Sequence, residues 1–351
     1  MAKYTVIGAG NGGLALAGYL SLQQAENDVI LYNRSAAPVA GIRERGLEIE
    51  GCFKGRTECV HVTDSLEEAL TNTRVVMVCI PANCHGDLAV KMKKYLKSGQ
   101  MIVLNPGRTF GAFLFDKIIQ GRERGISVAE TDTFLLTARK IADCKSRIFF
   151  KKKQVFLSSA DMKQLDRIYD VLVKDFPMLK KAGSILYVSF ANIGSILHPL
   201  PALLNFGRIE HGEKFLHYKE GITPVIAKSI QKLDEERVML ALKAGVRVPS
   251  AEEWLKDVYG SFGAGLYEKI QNTKAYDEVM APTDIATRYI YEDIETGIAP
   301  MCLYARDIGI KCAIMESIVD FAANIFNYDF FKEAERRFQA LNCEMADKKG
   351  N

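Results

Sequence analysis

KYTVIGAGNGGLALAGYLSLQQ, residues 3–24, decides the fold of the N-terminal half. The strand-favouring run Tyr4 to Ile7 leads into Gly8, Gly10 and Gly13, and an apolar segment of helical length follows. Gly8 permits a tight turn, Gly10 lets backbone approach a pyrophosphate, and Gly13 lets a helix close onto the strand before it. Asn11 and Gly12 open that helix, whose N-terminus would face the phosphates. Residues 27–35, NDVILYNRS, supply the next strand. In that strand, helix, strand setting the G-x-G-x-x-G spacing reads as a dinucleotide-binding turn.

Working outward, VVMVCIP (75–81), ANCHGDLAVKMKKYL (82–96) and MIVLNPG (101–107) repeat the alternation. The series predicts an α/β fold: an N-terminal Rossmann domain, a doubly wound parallel sheet with helices on both faces. LEIEGCFKGRTECVHV (47–62) reads as an inserted hairpin. After Gly183 the strand texture ends. PVIAKSIQKLDEERVMLALKAG (224–245) sets Ile226, Ile230, Leu233 and Leu240 on a helical stripe, with Pro at its start and Gly at its end. The expected division is a dinucleotide-binding domain over residues 1–183 and a mostly α-helical second domain over 184–351. Roughly 150 residues per domain fits that count.

The end of the second strand bears on the cofactor. Some 20 residues beyond the last glycine, NAD-specific folds place an acidic residue against the ribose 2′-hydroxyl. This chain has Asn33 there, followed by Arg34 and Ser35, a cation and a hydroxyl that would accept a 2′-phosphate. NADP is favoured, and NAD stays open. Pro81, Asn105 and Glu130 fall at the C-terminal ends of predicted strands, where they would border the nicotinamide half; ordinary turns shaped by Pro and Gly would look the same.

Composition narrows the remaining classes. Lys plus Arg number 46 against 43 acidic residues, and a formal charge of +3 gives no nucleic-acid footprint. The eight cysteines contain no C-x-x-C pair and read as reduced thiols, not a zinc or disulfide framework. The opening MAKYTVIGAG lacks a secretory pattern, so a cytoplasmic location is expected. Residues 184–207 carry no charged side chain, yet Asn192, His198, Pro199 and Pro201 favour a buried helix over a membrane span. The same segment would serve equally as a domain core or as a homodimer seam. The long polar loop at residues 207–221 is a lid candidate.

Of five histidines, His198 alone lies in the charge-free segment, ahead of Pro199, which should bend the helix. Taken alone it reads as a core histidine. The wider pattern resembles the opine dehydrogenase family: GAGNGGLALAGYL (8–20), NPGRTFGA (105–112), AETDTF (129–134), ANIGSILHP (191–199), HYKEGITPVIAKSIQKLDEERVMLALKAGV (217–246) and RYIYEDIETGIAP (288–300) occur in the family's order. The resemblance implies His198 as acid/base, Asp293 as its partner and Arg288 as the anchor of a keto-acid carboxylate. Asn192 would hold substrate or ring, or else a core hydrogen bond. The sequence departs from many relatives at Glu295, where they have Pro, and at Asn33, where they have an acidic residue.

The spacing adds a condition. Arg288 and Asp293 would point about 140° apart on one helix, and would reach one cleft only if that helix stops near Asp293, as Gly297 and Pro300 allow. Otherwise Arg288 makes an ordinary i,i+4 pair, with Asp284 or Glu292. The reaction implied is reduction, by NADPH or NADH, of the imine formed from an α-keto acid and an amino acid. The alternatives are a reductase of one small keto acid, resembling ketopantoate reductases or hydroxyacid dehydrogenases with Lys181 and Asn192 as stand-ins, and an NADP(H)-binding sensor without chemistry.

Overall fold

Tyr4–Ile7 forms β1, buried along its whole length, and Gly8 follows it at φ 103, a backbone angle open to glycine. The computed structural model describes residues 4–23, 28–35 and 37–349. Two units emerge: Met1–Gly107 with Leu114–Ile185, and Arg108–Phe113 with Leu186–Asn351. A six-residue excursion inside the expected first domain thus belongs to the second unit.

In the first unit, β2 (Val29–Tyr32), β5 (Val60–Thr63), β6 (Val75–Val78), β7 (Met101–Leu104) and β8 (Ser127–Thr131) join β1 in the parallel order β5-β2-β1-β6-β7-β8. Two strands extend that edge, β11 (Val155–Ser159), antiparallel to β8, and β12 (Leu179–Lys181), so the sheet is mixed at one side. The strand order reverses at β1 and β6, which opens a crevice at their C-terminal ends where such folds bind nucleotides.

The predicted hairpin exists as β3 (Leu47–Gly51) and β4 (Gly55–Thr57), while Val60–Thr63 joins the main sheet instead. A second hairpin, β9 (Leu136–Ala142) and β10 (Lys145–Lys151), pairs with β3 to complete a four-stranded sheet. The helix α1 (Asn11–Gln23) lies against both sheets, and every residue from Gly13 to Ser21 is buried. That explains LALAGYL: a helix apolar on all sides needs protein on all sides.

The second unit is helical. The charge-free segment forms three short helices, Ile185–Phe190, Gly194–Leu197 and Pro199–Leu204, and Pro199, which cannot continue the preceding turn, opens the third. Thr223 caps Pro224–Lys243, whose buried Arg237 holds Asp234 and the carbonyls of Phe190 and Pro249. A capping box of Ser250 and Glu253 starts Ala251–Tyr259.

Candidate active site

In the first unit the glycine-rich turn is shaped for a pyrophosphate. A Cβ on Gly13 would lie 1.8 Å from the Gly8 carbonyl oxygen, so helix and strand close as expected, whereas a Cβ on Gly10 would meet nothing within 4 Å. The open face at Gly10 and the N-terminus of α1 suit a dinucleotide. Gly12 is required for another reason: its Cβ position falls inside the ring of Phe134. The Asn11 side chain accepts from the amide of Lys140 at 2.9 Å.

Asn33 braces the turn from the end of β2, accepting from the Ala9 amide at 3.2 Å and donating to the Ser35 carbonyl at 2.8 Å. Arg34 and Ser35 are exposed beside it, as is Pro81 beyond β6. Asn105 and Glu130 are buried and engage the fold itself. Asn105 accepts from the Thr131 hydroxyl and the Leu135 amide, and the Glu130 carboxylate lies where a Cβ on Gly107 would stand. Lys181 pairs with Asp166 at 2.7 Å on the surface of this unit.

In the second unit the ring of His198 is fixed at both nitrogens. Asp293 Oδ2 lies 2.8 Å from Nδ1, the Tyr218 hydroxyl lies 3.0 Å from Nε2, and Tyr289 stacks on the ring face at 4.3 Å. An ionised Asp293 can only accept, so Nδ1 carries a proton and the neutral ring offers Nε2 as the acceptor for the Tyr218 O–H. The bend between Gly194–Leu197 and Pro199–Leu204 turns the ring toward these partners.

Asp293 lies at the end of the helix Arg288–Asp293, and the chain continues as a π-helical turn, Ile294–Ile298, and then as Ala299–Asp307. The α-helical pattern therefore stops at Asp293 without ending the rod. A π turn displaces the residues that follow and recurs at functional sites. Glu295, in the position where many relatives have Pro, accepts from the Tyr328 hydroxyl at 3.2 Å.

Arg108 is the residue that the motifs contained and sequence reasoning left without a role. At φ 65 and buried, it reaches Asp293 Oδ1 at 3.1 Å, Glu292 Oε1 at 3.2 Å and the Asn192 side-chain oxygen Oδ1 at 3.2 Å. The Asn192 amide nitrogen donates to the Thr109 hydroxyl at 3.4 Å, so this side chain holds Arg108 and core, not open space. Gly194 of ANIGSILHP has no side chain because a Cβ there would lie 2.2 Å from Arg108 Nη1 and 3.0 Å from Asp293 Oδ1. Burial alone would push the Asp293 carboxyl up; Arg108 and then His198 outweigh it and hold the group down at about 2. Burial pushes His198 below its ordinary value and Asp293 opposes that shift.

Arg288 makes the i,i+4 pair with Glu292, but loosely, at 3.8 Å, and its side chain stays 57% exposed. Its charge acts on His198, Tyr218 and Asp293 alike. The polar loop at 207–221 is pinned by its own buried side chains, Phe215, His217 and Tyr218, with the His217 amide donating to the Val279 carbonyl at 2.8 Å. It delivers Tyr218 to His198. Among the described residues no cluster fit for a metal ion occurs.

Comparison with known proteins gives the family. Residues 181–326 match the NAD/NADP octopine/nopaline dehydrogenase alpha-helical domain, and residues 4–105 match ketopantoate reductase PanE/ApbA. An opine dehydrogenase of Arthrobacter sp. (strain 1C) is 32% identical over 337 residues, covering 94% of this chain and 92% of that protein. A vitopine synthase of Allorhizobium ampelinum is 24% identical over 344 residues, covering 94% and 93%. Octopine dehydrogenase solved with NADH and L-arginine shares the fold at a TM-score of 0.73, with 20% identity over 93% of this chain and 90% of that one. Yersinopine dehydrogenase with NADP+ bound does so at 0.74, with 13% identity over 98% and 99%.

Proposed function

This chain belongs to the opine dehydrogenase family, and from that premise we propose that it joins an α-keto acid to the amine of an amino acid and reduces the product to a secondary amine. The observation that carries the reading is the His198 ring, with Asp293 at one nitrogen and a hydroxyl at the other, in the same unit as a half-exposed Arg288. Arg288 offers a planar fork for the keto-acid carboxylate. Asp293 fixes the tautomer and favours the charged form of His198, which supplies the proton needed as water leaves. The glycine-rich turn would hold the pyrophosphate of a dinucleotide, whose reduced nicotinamide would supply the hydride. Holding two substrates and a cofactor in line is the larger contribution.

On the cofactor, the exposed Arg34 and Ser35 and the lack of an acidic residue at position 33 support NADPH over NADH. Octopine dehydrogenase has been solved with NADH and pyruvate, which makes pyruvate the first keto acid to try. The match of residues 4–105 to ketopantoate reductase supports a second reading, reduction of a single keto acid. Lys181, its candidate catalytic lysine, is instead paired with Asp166 on the first unit's surface.

The test is oxidation of NADPH and of NADH with pyruvate and related keto acids, each with and without a mixture of amino acids. Oxidation that requires amine is expected. Oxidation at the same rate without amine would replace the proposal with the single-substrate reading, and cofactor binding without turnover in either arm would favour a sensor.

A further inference from the structure

We infer that Tyr218 is a catalytic residue, the group through which the proton of His198 reaches the substrate. The inference rests on the reaction proposed above. Its basis is occupancy: neutral imidazole has two polar positions, Nδ1 is held by Asp293, and Nε2 is held by the Tyr218 hydroxyl. A substrate oxygen has no free nitrogen on this ring to approach. Either Tyr218 moves aside or it passes the proton on.

The surroundings oppose movement. The Tyr218 ring lies on Tyr276 at 3.7 Å and 11° and meets His217 edge-on at 4.8 Å. Beside it, Lys219 pairs with Asp277 at 2.9 Å, and on its other side the His217 amide is bonded to the Val279 carbonyl. Swinging the phenol away would break two ring contacts in a buried segment. The hydroxyl stays protonated, since burial raises it well above its ordinary value, and a neutral phenol can give one proton while taking another. Arg288, whose charge acts on Tyr218 as well as on His198, would hold a keto-acid carboxylate on that side.

The step balances. The substrate ammonium first loses a proton, relayed by the Tyr218 hydroxyl to Nε2 of the neutral His198 to give the imidazolium. The freed amine then adds to the keto carbon, and transfer of an N–H proton to the oxygen gives a carbinolamine. Tyr218 gives its hydroxyl proton to the carbinolamine oxygen, the C–O bond breaks with its electron pair going to that oxygen, and water departs. The nitrogen lone pair forms the C=N bond of the iminium. Tyr218 oxygen takes the Nε2 proton of the His198 imidazolium, leaving a neutral ring still bonded to Asp293.

Tyr218→Phe removes the hydroxyl and keeps the ring contacts. In amine-dependent turnover its kcat is expected to fall about 100-fold or more, with the Kd for NADPH and the melting temperature little changed. In mixtures of H2O and D2O the wild-type rate should respond as two protons in flight, and the residual rate of the variant as one. A variant within threefold of wild type with the same isotope response overturns the inference. A second readout needs no turnover, so it stands even if the reaction proposed above fails. The 15N resonance of His198 Nε2 should shift between wild type and Tyr218→Phe, and an unmoved resonance overturns the hydroxyl link outright.

Discussion

His217 is a histidine that the fold keeps uncharged. Burial, with His198 close by, lowers it to about 3, although the Leu197 carbonyl bonded at Nε2 acts the other way. The unfolded chain takes up this proton near pH 6.5 and the folded chain does not. Its contribution is therefore complete above pH 6.5 and is lost as pH falls toward 3, a total on the order of 5 kcal/mol. Urea unfolding at pH 7 and pH 5 should show wild type losing about 1–2 kcal/mol more than His217→Gln; parallel losses would refute a neutral His217. Arg108 poses the opposite problem, a buried charge with partners. Arg108→Met should cost about 3 kcal/mol or more, because it leaves the buried side chains of Asp293 and Glu292 without the cation that reaches both. An unfolding free energy within 1 kcal/mol of wild type would mean that the cluster is solvated. Little of this was legible in the sequence. His198 and Asp293 lie 95 positions apart, and only the family motifs linked them. Arg108 meets Glu292 across 184 positions, and no periodicity reports such a contact. Tyr218 was hidden because its loop reads as polar surface, while the fold buries three of its rings.

Elements were more legible where one face decides the pattern. β1, α1 and β2 follow directly from alternating apolar runs and glycines, and the burial of α1 from Gly13 to Ser21 marks a second layer above it. That layer was only half visible. β3 and β4 carry glycine at their turn, but β9 and β10 read LTARKIA and KSRIFFK, where the adjacent Arg139 and Lys140 and the exposed Ile141 blur the alternation. Breaks were harder still. Proline opens only the last of the three short helices in the charge-free run, and Pro300 leaves the rod after Asp293 continuous because a π turn absorbs the change. The short helix Gly194–Leu197 offers a sharp test of element placement, since it passes directly under the Arg108–Asp293 pair. Gly194→Ala would force a methyl into that pair. The expected result is a destabilisation of about 1–3 kcal/mol, the usual cost of overpacking, with a larger loss in kcat than in cofactor affinity. Wild-type kcat in Gly194→Ala would show that the helix can shift without disturbing Asp293.

At the scale of the whole molecule, the chain enters the helical unit twice. A boundary near residue 183 is what the change in texture predicts, and Leu186–Asn351 forms most of that unit, but Arg108–Phe113 is part of it too. This insertion is structural as well as chemical. The Thr109 carbonyl accepts from the fully buried Arg337 at 3.0 Å, and the Phe110 ring packs against Phe190 and Tyr304 at 5.8 and 6.0 Å. Thr109 also receives the Asn192 amide, and Arg108 holds Asp293. A fragment of residues 184–351 would keep its long helices but lack these six residues, leaving a ring-sized gap and a guanidinium and two carboxylates short of their partners. Loss of a large buried aromatic alone costs about 3–5 kcal/mol, and whole domains are stable by only about 5–15 kcal/mol. The fragment is therefore expected to show helical circular dichroism without a cooperative thermal transition. Adding a synthetic peptide that spans residues 105–113 should restore part of the transition. Cooperative melting of the fragment alone, at the temperature of the intact chain, would show that the helical unit is self-sufficient and that the excursion serves only to carry Arg108 to Asp293.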